Sequence, residues 1–209
     1  MDTGTDYLLI VEDDPDILRL LDAALTFRGY RVISAHNGKE ALETIQVKRP
    51  AIIITDIMMP KLDGFGLVHR LRINPETRDI PVVFITATYI AREDREFALN
   101  IGATRFIQKP VDLEKFLATI AELSAQGLPT VIKPLNELEF YEEYRKRLEA
   151  KRDEKIKQIA RDEHLLATNA DKEDASLHAS LRHAVLERDE LELLLSQIHE
   201  QLAKHTNST

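Results

Sequence analysis

Five short apolar runs, each followed by an amphipathic stretch, fill the first 125 residues of this 209-residue chain. The runs are Tyr7–Val11, Arg31–Ala35, Ala51–Thr55, Pro81–Ile85 and Thr104–Ile107, all of strand length. After the first, Ile17, Leu18, Leu20, Leu21, Ala24 and Leu25 recur at helical spacing behind Asp14-Pro15 and stop at Gly29. Asn37-Gly38 opens a second helix through Ala41, Leu42 and Ile45, and Leu67, Val68 and Leu71 mark a third after Gly64. Ile90–Asn100 is a more polar fourth helix ending at Gly102, and Asp112 caps a fifth through Leu113, Phe116, Leu117 and Ile120. Ala51–Thr55 is nearly all apolar, the pattern of a strand buried on both faces. Regular strand–helix alternation predicts an α/β fold. It has one doubly wound parallel sheet, helices on both faces and right-handed crossovers.

A change of composition ends this pattern. Gln126–Pro134 holds Gly127, Pro129 and Pro134, which break helices, and residues 136–209 contain neither Gly nor Pro. The later segment, rich in Glu, Lys, Arg, Leu and Ala, predicts two helices, Leu138–Ala167 and Ala175–Lys204, around a polar turn. On the second, Leu177, Leu181, Ala184, Leu191, Leu195, Ile198 and Leu202 form a heptad seam, with Arg188 as its one polar interruption. The first has a weaker stripe through Leu138, Tyr141, Leu148, Ile156, Ile159 and Leu166. A lone helix pair buries little, so the expectation is an all-α hairpin that pairs with a second copy as a four-helix bundle. The expected division is a domain over 1–125, a linker over 126–135 and a dimerising or partner-docking tail over 136–209.

Several classes of function are disfavoured. The chain has no cysteine, hence no disulfide, thiolate nucleophile or Cys-ligated metal. Its apolar runs are far shorter than the roughly 20 residues a membrane span needs. Met1–Asp6 is acidic and polar, unlike a secretory signal, so a cytoplasmic protein is expected. A net charge of −8 disfavours bulk attraction to nucleic acid or anionic membrane. The basic stretch Arg145-Lys146-Arg147, Lys151, Arg152, Lys155 and Lys157 is interleaved with Glu142, Glu143, Glu149, Asp153 and Glu154, as on a solvated helix face. His164, His178, His183, His199 and His205 lack the His-acid pair followed by a Pro-containing turn, and no Gly-rich nucleotide loop occurs.

In a doubly wound sheet, functional groups gather at the carboxyl ends of the strands. Strand one ends in Glu12-Asp13-Asp14, strand three in Asp56 and strand four in Thr86, while Lys109-Pro110 follows strand five. Asp14 before Pro15 is an N-cap pattern. Carboxylates gathered in one cleft repel unless a cation joins them, and a hard divalent ion such as Mg²⁺ suits oxygen ligands. With such an ion bound, Asp56 is suited to act as a nucleophile toward phosphorus. Lys109 and the metal would offset the charge of the transferring phosphoryl group, and Thr86 would donate a hydrogen bond to it.

These residues resemble a known family. Leu9-Ile10-Val11-Glu12-Asp13-Asp14-Pro15 and Asp56-Ile57-Met58-Met59-Pro60-Lys61-Leu62-Asp63-Gly64 are similar to the first-strand motif and phosphoacceptor loop of response-regulator receiver domains. Phe84-Ile85-Thr86-Ala87 and Lys109-Pro110 resemble the two remaining signatures. The resemblance covers residues 6 to about 125. It implies strand order 2-1-3-4-5. It implies that Asp56 accepts a phosphoryl group from the phosphohistidine of a partner sensor histidine kinase. Mg²⁺ would be held by Asp13, Asp56 and the backbone carbonyl of Met58 beside Glu12, with Thr86 and Lys109 on the phosphoryl group. Phe106 stands where the family has a switch aromatic. By the same resemblance, Thr86 moves on phosphorylation and Phe106 turns inward. The face of Ile90–Asn100, Thr104–Ile107 and Asp112–Leu123 then becomes the signalling surface. The resulting expectation is a two-component phosphoacceptor protein, not an enzyme. Two alternatives stay open: a DNA-binding transcriptional regulator of unfamiliar type, and a phosphotransfer component passing phosphoryl groups between Asp56 and a tail histidine.

Overall fold

The computed structural model of the chain describes residues 7–87, 92–126, 135–168 and 175–206. It divides into two compact units, Met1–Leu135 and Asn136–Thr209. The start of the fourth expected helix, most of the expected linker and the expected polar turn fall outside the described residues.

The first unit is a five-stranded parallel sheet in the order β2-β1-β3-β4-β5. The strands are β1 (Tyr7–Val11), β2 (Arg31–Ala35), β3 (Ile52–Thr55), β4 (Val82–Thr86) and β5 (Arg105–Gln108). The helices between and after them are α1 (Pro15–Phe27), α2 (Gly38–Val47), α3 (Gly64–Ile73), α4 (Arg92–Asn100) and α5 (Leu113–Gln126). Strands β1, β3 and β4 are buried along their whole length, because each has a strand on either side. Edge strands β2 and β5 are only half-buried. The fourth strand begins at Val82, one residue later than expected. Pro81 has no N–H, and only its carbonyl joins the sheet, accepting from Ile53 N at 2.9 Å.

The two-residue alternation of each strand sorts the core into two layers. Leu8, Ile10, Ile52, Ile54, Val83 and Ile85 pack with Leu18, Leu21 and Leu25 of α1 and Phe116, Ile120 and Leu123 of α5. On the opposite side Phe65 of α3 meets Phe84 of β4 edge-on at 5.3 Å and Phe97 of α4 at 5.1 Å. Each such side chain taken from water contributes roughly 1.5–3 kcal/mol before the entropic cost. The first helix starts as its sequence dictates. Asp14 accepts from Asp16 N at 2.8 Å and Ile17 N at 3.1 Å, Pro15 sits in the first turn, and Gly29 takes φ +87° after the last.

The second unit is an antiparallel pair, α6 (Glu137–Thr168) and α7 (Ala175–Thr206), each of 32 residues. Lys155 pairs with Glu187 at 2.6 Å, Ser180 donates to Asp162 at 3.0 Å, and His205 meets Glu137 at 3.5 Å. Seven residues forward on α6 is therefore seven back on α7. The α7 seam is as expected: Ala184, Leu191, Leu195 and Ile198 are buried, and Leu177, Leu181, Arg188 and Leu202 half-buried. The α6 stripe needs correction. Leu138 and Ile156 are 44% and 45% exposed, whereas Phe140 and Tyr144, absent from the expected stripe, are buried. The true seam runs through Tyr141, Tyr144, Leu148, Lys151, Lys155, Ile159, Asp162 and Leu166. Its charged members hid the period. No helix among the described residues is long and apolar enough to cross a membrane.

Candidate functional site

The site lies at the carboxyl edge of the sheet, where the strand ladders deliver it. Asp56 N donates to Val11 O at 2.9 Å, so the residue after β3 is held beside the residue after β1. Glu12 N donates to Ala35 O at 3.1 Å, which ties the acidic pair to the end of β2. Past β5, Lys109 N donates to Thr86 O at 2.9 Å. Behind Asp56 the chain turns tightly: a Cβ on Gly64 would stand 2.2 Å from Asp56 O, so only glycine fits there. Asp63 caps α3 by accepting from Gly66 N at 2.8 Å.

The Lys109 ammonium bridges two carboxylates. It donates to Asp56 Oδ2 at 2.7 Å and to Glu12 Oε1 and Oε2 at 3.1 and 2.9 Å. Its side chain is only 12% exposed, and that of Glu12 2%. Asp56 Oδ1 accepts from Ile57 N at 2.5 Å. Asp13 completes the cluster: carboxylate oxygens of Glu12, Asp13 and Asp56 lie within 4.8 Å of one another.

The electrostatics follow from crowding in a partly dry cleft. Burial, and then the Asp56 charge, push Glu12 up to about 7 against the opposing pull of Lys109. Asp13 is raised by its partial desolvation, with Asp56 adding to it. Burial alone would lower Lys109, but Asp56 and Glu12 outweigh it together, so the ammonium is held charged more firmly than usual. Three carboxylates against one ammonium leave the cluster short of positive charge. The donor set is oxygen alone, which fits a hard divalent cation such as Mg²⁺. Among the described residues no other group of three such side chains could hold a metal.

Of the other expected residues, Thr86 is tied to Lys109 through its backbone carbonyl, and Met58 and Phe106 lie where their elements put them. Met58 is half-buried two residues past Asp56. Thr86, at the end of β4, is 1% exposed. Phe106 is half-buried on β5, with its ring 6.5 Å from Phe84 and edge-on to it. A feature the sequence did not announce is Arg95 of α4, whose guanidinium lies 5.3 Å from the Phe106 ring centroid. Beside Phe106 is a cavity of about 390 Å³, lined also by Ile107, Lys109, Pro110, Lys115 and Thr119. The second helix starts at Asn37-Gly38 as expected, but the part Glu40 plays in its cap was not read from the sequence. Asn37 accepts from Glu40 N at 3.1 Å, and Glu40 Oε2 accepts from His36 N at 3.0 Å. The Asn-x-x-Glu spacing was its signal.

In the tail, the basic stretch is substantially compensated. Arg145 lies 3.9 Å from Glu149, Arg152 2.8 Å from Asp153 and Lys155 2.6 Å from Glu187. His164, His178, His183 and His199 are exposed, and His183 lies 3.7 Å from Glu187.

Comparison with known proteins agrees with this geometry. The family profile described as "Response regulator receiver domain" matches residues 8–121. "Response regulator PleD" of Caulobacter vibrioides is 41% identical over 117 residues, which is 56% of this chain and 26% of PleD. The protein named "Probable transcriptional regulator ycf27" of Pyropia yezoensis is 38% identical over 120 residues, 57% of this chain and 48% of that one. The chain thus spans about half or less of these curated relatives. Among solved structures, the chemotaxis response regulator CheY4 of Vibrio cholerae superposes with a TM-score of 0.54 at 29% identity. That match covers 57% of this chain and 99% of CheY4. The receiver domain of a signal transduction histidine kinase from Syntrophus aciditrophicus gives 0.54 at 32% identity, covering 57% and 90%.

Proposed function

Since the chain belongs to the response-regulator receiver family through residues 8–121, we propose that it is a phosphoacceptor of two-component signalling, modified on Asp56 by a sensor histidine kinase. The observation that carries this reading is the Lys109 ammonium, held between Asp56 and Glu12. It offsets part of the negative charge around the nucleophile, and in this reading it turns to the oxygens of an incoming phosphoryl group.

The chemistry is a simple displacement. An Asp56 carboxylate oxygen attacks phosphorus, the P–N bond of the donor phosphohistidine breaks, and the imidazole leaves with that electron pair. The product is an acyl phosphate on Asp56. Asp13, Asp56 and the Met58 carbonyl, beside Glu12, would hold Mg²⁺, which when bound supplies positive charge to the transferring group. Lys109 loses part of its hold on Asp56 and turns to the phosphoryl oxygens. The buried Thr86 hydroxyl donates to them as well.

Phosphorylation adds about −1.5 to −2 charge at this edge. Thr86 follows that charge, and the space it leaves admits the Phe106 ring. The face built from α4, β5 and α5 thereby changes shape, a two-state element biased by a local electrostatic event. The helical tail dimerises or docks a protein partner in the cytoplasm, and the chain turns over no external substrate.

The test is exposure to acetyl phosphate and Mg²⁺, read by intact mass with peptide mapping. The wild type should gain one phosphoryl group on Asp56, and Asp56→Asn none. A label on Asp56→Asn equal to wild type, or none on wild type, would refute the assignment. A stable label on a tail histidine would favour the phosphotransfer alternative.

A further inference from the structure

The segment Asp56–Asp63 carries both the nucleophile and the Met58 carbonyl, yet it lies in neither helix nor strand. Lys61 adopts φ +68°, a backbone conformation disfavoured for any residue with a Cβ. Such a loop keeps its pose only if something outside it holds it there.

Its ends are tied by Val11, Lys109 and the cap of α3, and its middle is held by the first turn of α2. Gly38 N, one of the orphan donors of a helix start, donates to Leu62 O at 2.9 Å. Leu62 is seated between two glycines. A Cβ on Gly38 would stand 2.7 Å from Leu62 O, and one on Gly66 2.8 Å from Leu62 Cδ1. Glu40 makes the second tie. Its Oε1 accepts from Asn37 Nδ2 at 2.7 Å and from Lys61 Nζ at 3.4 Å. Its Oε2 accepts from His36 N at 3.0 Å, and Asn37 is itself buried. The same corner reaches the acidic pair, because Ala35 O accepts from Glu12 N at 3.1 Å. One short stretch, Ala35–Glu40, therefore joins the backbone that bears Glu12 and Asp13 to the loop that begins at Asp56.

We propose that Gly38 and Glu40 are positioning residues. They fix the Asp56–Asp63 loop against the Glu12–Asp13 segment and so set the affinity of the cluster for a divalent cation. The inference rests on the reading above that the acidic site takes Mg²⁺, and adds to it the residues that tune the site without touching the ion. Gly38→Ala would press a methyl group into the Leu62 carbonyl and push the loop outward. Loss of the Glu40 carboxylate would release Lys61 and the His36 amide together.

The test is a calorimetric Mg²⁺ titration of the full chain, with the urea midpoint of each variant measured in parallel. Gly29→Ala is the control. Gly29 has φ +87° and no atom within 4 Å of its would-be Cβ, so alanine there costs stability through the backbone alone and remote from the cluster. Gly38→Ala and Glu40→Ala should raise the Mg²⁺ dissociation constant severalfold, less than the roughly tenfold or more lost with a group bonded directly to a metal ligand, since neither residue touches one. Gly29→Ala should leave it unchanged. Glu40→Gln, which keeps one acceptor oxygen, should recover part of the loss. Wild-type affinity in a folded Gly38→Ala overturns the proposal. If that variant does not fold, wild-type affinity in Glu40→Ala overturns it. A wild type that binds no Mg²⁺ would instead bring down the metal reading and this inference with it.

Discussion

Burial on α3 takes the His69 imidazole down to about 4, and the neighbouring Arg70 charge pushes the same way. An imidazole in the unfolded chain titrates near 6.5. Between those values the unfolded state binds a proton that the folded state refuses, so folding loses stability as pH falls from about 6.5 toward 4. Above 6.5 the residue contributes nothing to the pH dependence. The full drop is on the order of 3 kcal/mol. Glu12 has the opposite sign. Raised from 4.5 to about 7, it makes the metal-free fold lose stability as pH rises through that window. Urea titrations at a series of pH values should therefore show His69→Leu losing less stability than wild type between 6.5 and 4. Parallel curves for the two proteins would contradict the assignment. At this scale the site was legible from the sequence wherever a strand end determined it. Glu12, Asp13, Asp56 and Lys109 lie together as expected because a doubly wound sheet brings strand ends to one edge, whereas their roles and that of Thr86 belong to the proposal. Gly38 against Leu62 and Arg95 over Phe106 were not expected, since both depend on which loop or helix lies across the gap.

The elements differ in how plainly their sequences announce them. Strands β1, β3 and β4 are continuous apolar runs because parallel strands bury both faces. The seam of α7 was equally plain, being built of Leu, Ile and Ala with one arginine. The seam of α6 was obscured because Lys151, Lys155 and Asp162 occupy positions on it while Leu138 and Ile156 point away. A stripe drawn through aliphatic residues alone followed the wrong line. The side chains of Lys155 and Glu187 are 22% and 16% exposed, so their ion pair is partly desolvated. Removing one partner leaves the other charge badly solvated, whereas replacing both with apolar groups removes the problem. Lys155→Ala should destabilise the hairpin by about 1 kcal/mol, a figure reduced for the solvent that still reaches the pair. Lys155→Leu combined with Glu187→Leu should restore or exceed wild-type stability. Hydrogen exchange of α6 amides would decide. Greater protection in Lys155→Ala than in the double variant would refute this account.

At the scale of the molecule, the chain builds two cores of different kinds. The receiver unit buries layered side chains on both sides of a sheet. The hairpin buries one narrow seam and leaves Leu186 and Leu193 of α7 more than half exposed. A helix pair with so little interior is usually completed by another, which favours self-association through residues 136–209. Light scattering should find the full chain dimeric and a chain ending at Leu135 monomeric. Neither should change when Mg²⁺ and beryllofluoride mimic the phosphorylated state. A monomeric full chain would refute a constitutive tail dimer, and a mass that changes only on activation would move control of assembly to the receiver face.

The pairings of Lys155 with Glu187 and of Asp162 with Ser180 also limit how this protein can change its length. One residue inserted into α6 turns every later side chain by about 100° and takes the seam out of phase. An isolated deletion in α7 does the same in reverse. Only matched gains or losses of a whole heptad in both helices keep every pair in step, and each changes the hairpin by roughly 10 Å. Descendants of this tail can thus be longer or shorter rods, but only in steps of that size.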